Sequence, residues 1–163
     1  MKKLLFIFSV LLFVGCNNKT ERSVPFSSEA LADTFIGIDE QPITLQQVLD
    51  KYKGKKVMLE VCASWCKDCI LGLHYVNKLK EKHPDAAFVF LSLDKTIPRW
   101  KRGIERFDFN GDHYFLQSEW EGAFGEFINL DQIPRYMVVN EEGQIVLMRA
   151  TNPQDPALDE ALN

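Results

Sequence analysis

Apolar and polar positions along this chain switch between a period of two and a period near 3.6, and the switches outline a string of strands and helices. Thr34–Ile38 and Ile43–Leu45 are short strand candidates around the turn Asp39-Glu40-Gln41-Pro42, and Gln46–Tyr52 suits a short helix ended by Gly54. Lys56–Val61 is a β-type run. From Cys66 the period becomes helical: Cys69, Leu73, Val76 and Lys80 fall on one stripe, with Ile70 and Leu79 beside it, until His83-Pro84 stops the helix. Ala87–Leu93 is continuously apolar, as expected of a strand covered on both faces.

A strand, a helix and a strand of these lengths form a right-handed βαβ unit, which places Cys66 at the carboxyl end of the first strand, where the helix begins. Downstream, Ile97–Phe107 reads as a helix, His113–Leu116 as a short strand and Glu119–Ile128 as another helix. Tyr136–Val139, the turn Glu141-Glu142-Gly143 and Ile145–Met148 make a β-hairpin, and Pro156–Leu162 a closing helix. The class is α/β, in one domain of ordinary size, without internal repeats.

Upstream of residue 33 the pattern lapses. Residues 17–32 are polar, with Ser23, Pro25, Ser27 and Ser28 and no sustained period, and read as a flexible tether. Before them, Lys2 and Lys3 precede an apolar stretch from Leu4 to Val14, then Gly15 and Cys16, the build of a secretory signal over residues 1–15. As a helix, residues 4–14 would rise only about 16 Å against the ~30 Å of bilayer hydrocarbon, too short for a permanent span. Phe13-Val14-Gly15-Cys16 resembles the bacterial lipobox, with Phe13 in place of the usual Leu. That resemblance implies a lipid anchor on Cys16, with several acyl chains holding the protein at a membrane face. The expected organisation is a signal peptide over 1–15, anchor and tether over 16–32, and a folded domain over 33–163.

Charge narrows the partners. Removal of Lys2 and Lys3 takes the 19 basic residues to 17 against 23 acidic ones, a formal charge of −6. Nucleic acid does not suit such a surface. The basic cluster Arg99-Trp100-Lys101-Arg102 is followed by Glu105 and Asp108 and has the spacing of a solvated helix face. With 46% hydrophobic and 12% aromatic residues, the chain can bury a core without a framework of disulfides. Its four cysteines are therefore candidates for chemistry.

Three of them stand close together in Glu60-Val-Cys62-Ala-Ser-Trp65-Cys66-Lys-Asp-Cys69. Cys66-Lys67-Asp68-Cys69 is a C-x-x-C pair at a strand-to-helix junction in a βαβ context, the arrangement of a thioredoxin-like redox motif. The first cysteine meets unpaired backbone N–H groups and the positive end of the helix, which favour thiolate over thiol. Cys69, one turn deeper, can reach its partner's sulfur and stays shielded. Cys62, flanked by Val61 and Leu59, reads most simply as a small buried hydrophobe. Two metal readings compete. The spacing of Cys62, Cys66 and Cys69 matches a radical iron–sulfur motif, but such enzymes need a much longer chain. Zinc or copper held by Cys62, Cys66, Cys69 and His74 is chemically better posed and is the alternative function, that of a metal-delivery protein. His83 and His113 have no evident partners. A redox-inactive binding module is disfavoured by the intact C-x-x-C.

Ala63-Ser64-Trp65-Cys66-Lys67-Asp68-Cys69 resembles the signature of the TlpA/ResA-like branch of the thioredoxin superfamily, in its bacterial lipoprotein form. Ile133-Pro134 is similar to that superfamily's cis-proline loop. The leading hairpin and the helix and strand between about Lys95 and Leu116 also fit the branch, over about Thr34–Met148. The resemblance implies a central mixed sheet flanked by helices and a thiol–disulfide oxidoreductase that needs no organic or metal cofactor. By position, Cys66 would be the attacking thiolate, Cys69 the resolving thiol, and Pro134 part of the substrate groove with Ile133 and Arg135. Trp65 would shield the pair and contact partners. Glu60 would be the buried acid that relays the proton of Cys69, since burial raises a carboxyl's pKa. Asp68, Gly72 and His74 depart from the residues usual at their positions, which leaves Glu60 as the candidate internal acid. Implied partners are disulfide-bearing extracytoplasmic proteins, apocytochrome c among them, and a membrane electron donor.

Overall fold

A computed structural model describes residues 23–163. Residues 1–15, read as a signal segment, and Cys16 lie outside the described residues.

Seven strands form one mixed sheet. Strand β3 (Val57–Cys62) has β4 (Ala87–Ser92), the middle strand of the seven, parallel on one side and β6 (Arg135–Val139) antiparallel on the other. Beyond β4 come β5 (Asp112–Leu116), parallel, and then the hairpin of β1 (Thr34–Gly37) and β2 (Pro42–Thr44). Beyond β6 lies β7 (Ile145–Ala150), so the order is β2-β1-β5-β4-β3-β6-β7. Every residue of β3 is buried, as a central strand covered on both faces requires.

The helices begin where the sequence offers caps. In α2 (Leu45–Asp50) Thr44 and Gln47 form a reciprocal capping box. Asp155 caps α6 (Pro156–Leu162), and Thr96 caps α4 (Ile97–Phe107), which ends at Asp108 in the left-handed region, φ 52°. The long helix α3 (Lys67–Lys82) turns Cys69, Gly72, Leu73 and Val76 toward the sheet.

Two expectations change. The stretch read as tether is folded from Val24 onward. Val24 exchanges both backbone hydrogen bonds with Ile145, at 2.8 and 2.9 Å. Phe26 is buried against Phe127, with ring centroids 5.6 Å apart, and Ser27 caps a short helix α1 (Ser28–Ala32) whose Ala30 is fully buried. Five residues carry too little periodicity to announce a helix; what fixes α1 is packing against a distant helix. That helix, α5 (Ala123–Phe127), is in turn shorter than the pattern Glu119–Ile128 predicts. Glu119 takes φ 55°, which a helix does not accept, and the Asp33 carboxylate receives the Phe124 N–H at 2.9 Å, fixing the start of the helix from outside it.

Candidate active site

The loop Ala63-Ser64-Trp65 carries the chain from the end of β3 to Cys66, which is the N-cap of α3. Its Sγ accepts the Cys69 N–H at 3.1 Å, so an otherwise orphaned donor of the first turn points at the sulfur. Cys66 and Cys69 are joined as a disulfide, with Cα atoms 5.3 Å apart, inside the range a disulfide spans without backbone movement. The two sulfurs differ in access: Cys66 keeps 7% of its surface and Cys69 none.

Asp94, just beyond β4, fastens the loop. Its buried carboxylate accepts the Ser64 N–H at 3.0 Å, the Ser64 hydroxyl at 2.6 Å and the Ser92 hydroxyl at 2.9 Å. Gly103 lets α4 lie against the same serine, since a Cβ there would stand 2.3 Å from the Ser64 Cβ. Sequence reasoning missed this brace. The signal available was an aspartate at the carboxyl end of a strand next to β3, the edge where α/β folds place their sites.

The Ile133–Pro134 peptide is cis, and both residues line an open groove of about 330 Å³ whose opposite wall includes Asp68, Leu71 and Gly72 of α3. Trp65 and Leu71 stand out of the surface, 54% and 62% exposed, giving the neighbourhood of the cysteines two large apolar contacts. Arg135 does not present its guanidinium to the groove. The side chain is fully buried and holds the loop before the proline: Nη1 donates to the Ile128 carbonyl at 2.9 Å, and Nη2 to the Asn129 carbonyl at 3.3 Å and to Asp131. Its expected substrate contact therefore narrows to the backbone. Arg135→Ala is expected to cost about 2–4 kcal/mol, because the buried Ile128 carbonyl loses its donor and the loop before the proline loses its ties at Asn129 and Asp131. Thermal unfolding should show a fall of roughly 5–15 °C, and an unchanged melting temperature would contradict this placement.

Beneath α3 lies Glu60, fully buried, with neither carboxylate oxygen in a hydrogen bond. Burial pushes its pKa up to about 8, against a smaller downward pull from the Tyr136 hydroxyl that faces it across β6. Cys62 shares this face of β3. It is a free, buried thiol, raised well above its ordinary pKa by burial and by the negative charges of Glu60 and Asp94. The donor set Cys62, Cys66, Cys69 and His74 does not converge: two of the sulfurs are bonded to each other and His74 is exposed while Cys62 is buried. Among the described residues no group of three or more potential ligands is gathered for a metal ion. His83 pairs with Asp159 at 2.8 Å, and His113 bonds the Phe109 carbonyl and stacks on Phe90.

Comparison with known proteins agrees with this architecture. The chain superposes on the thioredoxin domain of a thiol-disulfide oxidoreductase of Bacteroides vulgatus with a TM-score of 0.68, at 21% identity, over 86% of this chain and 100% of that one. A secreted disulfide oxidoreductase of Mycobacterium tuberculosis, homologous to E. coli DsbE, superposes with a TM-score of 0.62 at 14% identity, over 83% and 98% of the two chains. Likeness at these identities establishes a thioredoxin-like fold. An uncharacterized protein of Haemophilus influenzae is 36% identical over 80 residues, which span 48% of this chain and 43% of that one, under half the length of this curated relative. Residues 28–162 match the family described as Redoxin, and a match across nearly all the folded chain means that this protein belongs to the Redoxin family.

Proposed function

We propose that the protein is a thiol–disulfide oxidoreductase that reduces disulfides of proteins outside the cytoplasm. The observation that carries the reading is the Cys66–Cys69 disulfide at the start of α3, with its outer sulfur beside an exposed tryptophan and a groove walled by Pro134. In the reduced form the Cys66 thiolate attacks one sulfur of a partner's disulfide, and a mixed disulfide forms as the partner's other sulfur leaves as a thiolate that takes a proton from solvent. Cys69 then gives its proton to Glu60 and attacks the Cys66 sulfur. The Cys66–Cys69 disulfide closes, the partner's second sulfur leaves as a thiolate that also takes a proton from solvent, and the partner departs as a dithiol to which two electrons have passed. A membrane electron donor returns the protein to its dithiol state. Apocytochrome c awaiting haem is one substrate of suitable chemistry.

The direction of transfer is tested by titrating the chain from Asn17 onward against dithiol buffers, scored by mass after alkylation. A midpoint near about −270 mV supports donation of electrons, and one near about −120 mV would make the protein an oxidant and overturn the reductase reading. The resemblance of Phe13–Cys16 to a lipobox supports an anchored, extracytoplasmic protein, as does the description of the Mycobacterium relative as secreted. Among the described residues no helix is long and apolar enough to cross a membrane. Cys16→Ala is expected to move the protein from the membrane to the soluble fraction; unchanged fractionation would refute the anchor.

A further inference from the structure

Three buried polar atoms meet beneath α3 without a hydrogen-bond partner in the chain: both carboxylate oxygens of Glu60 and the hydroxyl of Tyr136. Burying such groups unpaired is costly, so their persistence in the driest part of the fold calls for a reason. Their placement supplies one. Glu60 and Tyr136 are register partners on adjacent antiparallel strands, so both side chains leave the same face of the sheet. That face lies under the stripe of α3 that carries Cys69 and, one turn later, Gly72. A Cβ on Gly72 would stand 3.0 Å from the Tyr136 hydroxyl and 3.2 Å from Pro153 Cγ. Gly72 and Pro153 also line the open groove that Pro134 walls. The tyrosine hydroxyl thus sits between the buried acid and the inner side of the substrate groove, at the one point on this stripe of α3 where the side chain is missing.

We propose that Tyr136 is a positioning residue for Glu60, its hydroxyl donating to the carboxylate that awaits the Cys69 proton and, once Glu60 has taken that proton, passing it on, through the notch at Gly72, to water in the groove. The inference rests on the proposed role of Glu60 as acceptor of the Cys69 proton. The transfer balances: one proton moves from the Cys69 sulfur to Glu60, the Tyr136 hydroxyl receives it while releasing its own, and no electrons move in that step. Without this route a fully buried carboxylic acid has no described path by which to discharge between turnovers. The remaining groups around Glu60 do not substitute. From β3 the neighbour is Cys62, whose thiol burial keeps protonated. From β4 it is Phe90, the parallel register partner of Glu60, with His113 stacked beyond it and hydrogen-bonded to Phe109. Asp94 is engaged by Ser64 and Ser92, and α3 contributes Cys66 and Cys69 themselves.

The test is the pH profile of single-turnover oxidation of the reduced full chain by a small disulfide, in the parent protein, Glu60→Gln and Tyr136→Phe. The parent should show a limb that Glu60→Gln removes. Tyr136→Phe keeps the ring in the core and removes only the donor, so the limb should persist and move upward by about one pH unit, a tenfold change in the proton equilibrium. A limb lost in Glu60→Gln but unmoved in Tyr136→Phe overturns the proposal and leaves the role of Glu60 intact. A profile unchanged in Glu60→Gln overturns both. If Tyr136→Phe fails to fold, Gly72→Ala, which crowds the hydroxyl from the groove side, decides by the same criterion.

Discussion

Cys66→Ser is expected to bring disulfide reduction down to the uncatalysed background, a loss on the order of 10³-fold or more, as for removal of a nucleophile elsewhere. The reason is access. Cys69 remains in that variant, but it has no exposed surface and lies inside the first turn of α3, where a partner's disulfide cannot approach its sulfur. Cys69→Ser has a different outcome. Cys66 still attacks, no internal thiol follows, and the mixed disulfide accumulates. Mass spectrometry of the trapped species after acid quenching distinguishes the two, with an adduct on Cys66 in Cys69→Ser and none in Cys66→Ser. Full turnover by Cys66→Ser, or an adduct on Cys69, would end the assignment of roles. Cys62 gives an internal control. It is free in the disulfide form and buried, with a pKa that burial holds high, so it should be alkylated only on unfolding in all three proteins.

Much of this was legible in the sequence because the informative features are local. The stripe from Cys69 to Lys80 and the breaker at His83-Pro84 delimit α3, and the apolar runs on either side of it fix the parallel pair β3 and β4. Ile97–Phe107 and Pro156–Leu162 carry their own caps and coincide with the helices found. The features that escaped are made by residues far apart in the chain. Helix α1 exists because Phe26 finds Phe127 and Val24 finds Ile145, and neither contact leaves a mark on the local pattern. The brace of Asp94 on Ser64 joins residues 30 apart. Arg135 next to the cis proline reads equally well as a surface cation for a partner, and only the carbonyls of Ile128 and Asn129 converging on it show that it holds the loop from inside. Likewise the acid at Glu60 is visible in the strand pattern as an anomaly, an ionisable residue among Leu59, Val61 and Cys62, but its facing tyrosine appears only with the β3–β6 register.

The buried acid also sets how stability depends on pH. The unfolded Glu60 titrates near 4.5, and in the folded protein burial raises that to about 8. Between these values the folded state holds a proton that the unfolded state has lost, so stability falls as pH rises through this window, by about 1.4 kcal/mol per unit from this group alone. Below about pH 4 the contribution is whole, and above about pH 8 it is gone. Other shifted groups on this face do not mimic the effect. Cys62 and Tyr136 are pushed upward from ordinary values that already lie above the window, and the disulfide form leaves Cys66 and Cys69 without a titrating thiol. His113, lowered by burial, acts with the opposite sign below its ordinary 6.5, because there the unfolded state holds the extra proton. Comparing Glu60→Gln with the parent cancels that histidine. Glutamine brings its own cost of burying an amide, which is constant with pH and offsets the curve without tilting it. The variant is therefore expected to gain on the parent steadily from pH 5 to pH 8, by about 3–4 kcal/mol in total, a large share of a typical domain's stability. Urea unfolding of the two oxidised proteins at successive pH values reads this directly. Parallel curves across the window would mean that Glu60 is already ionised in the folded protein, so that burial does not hold its pKa near 8.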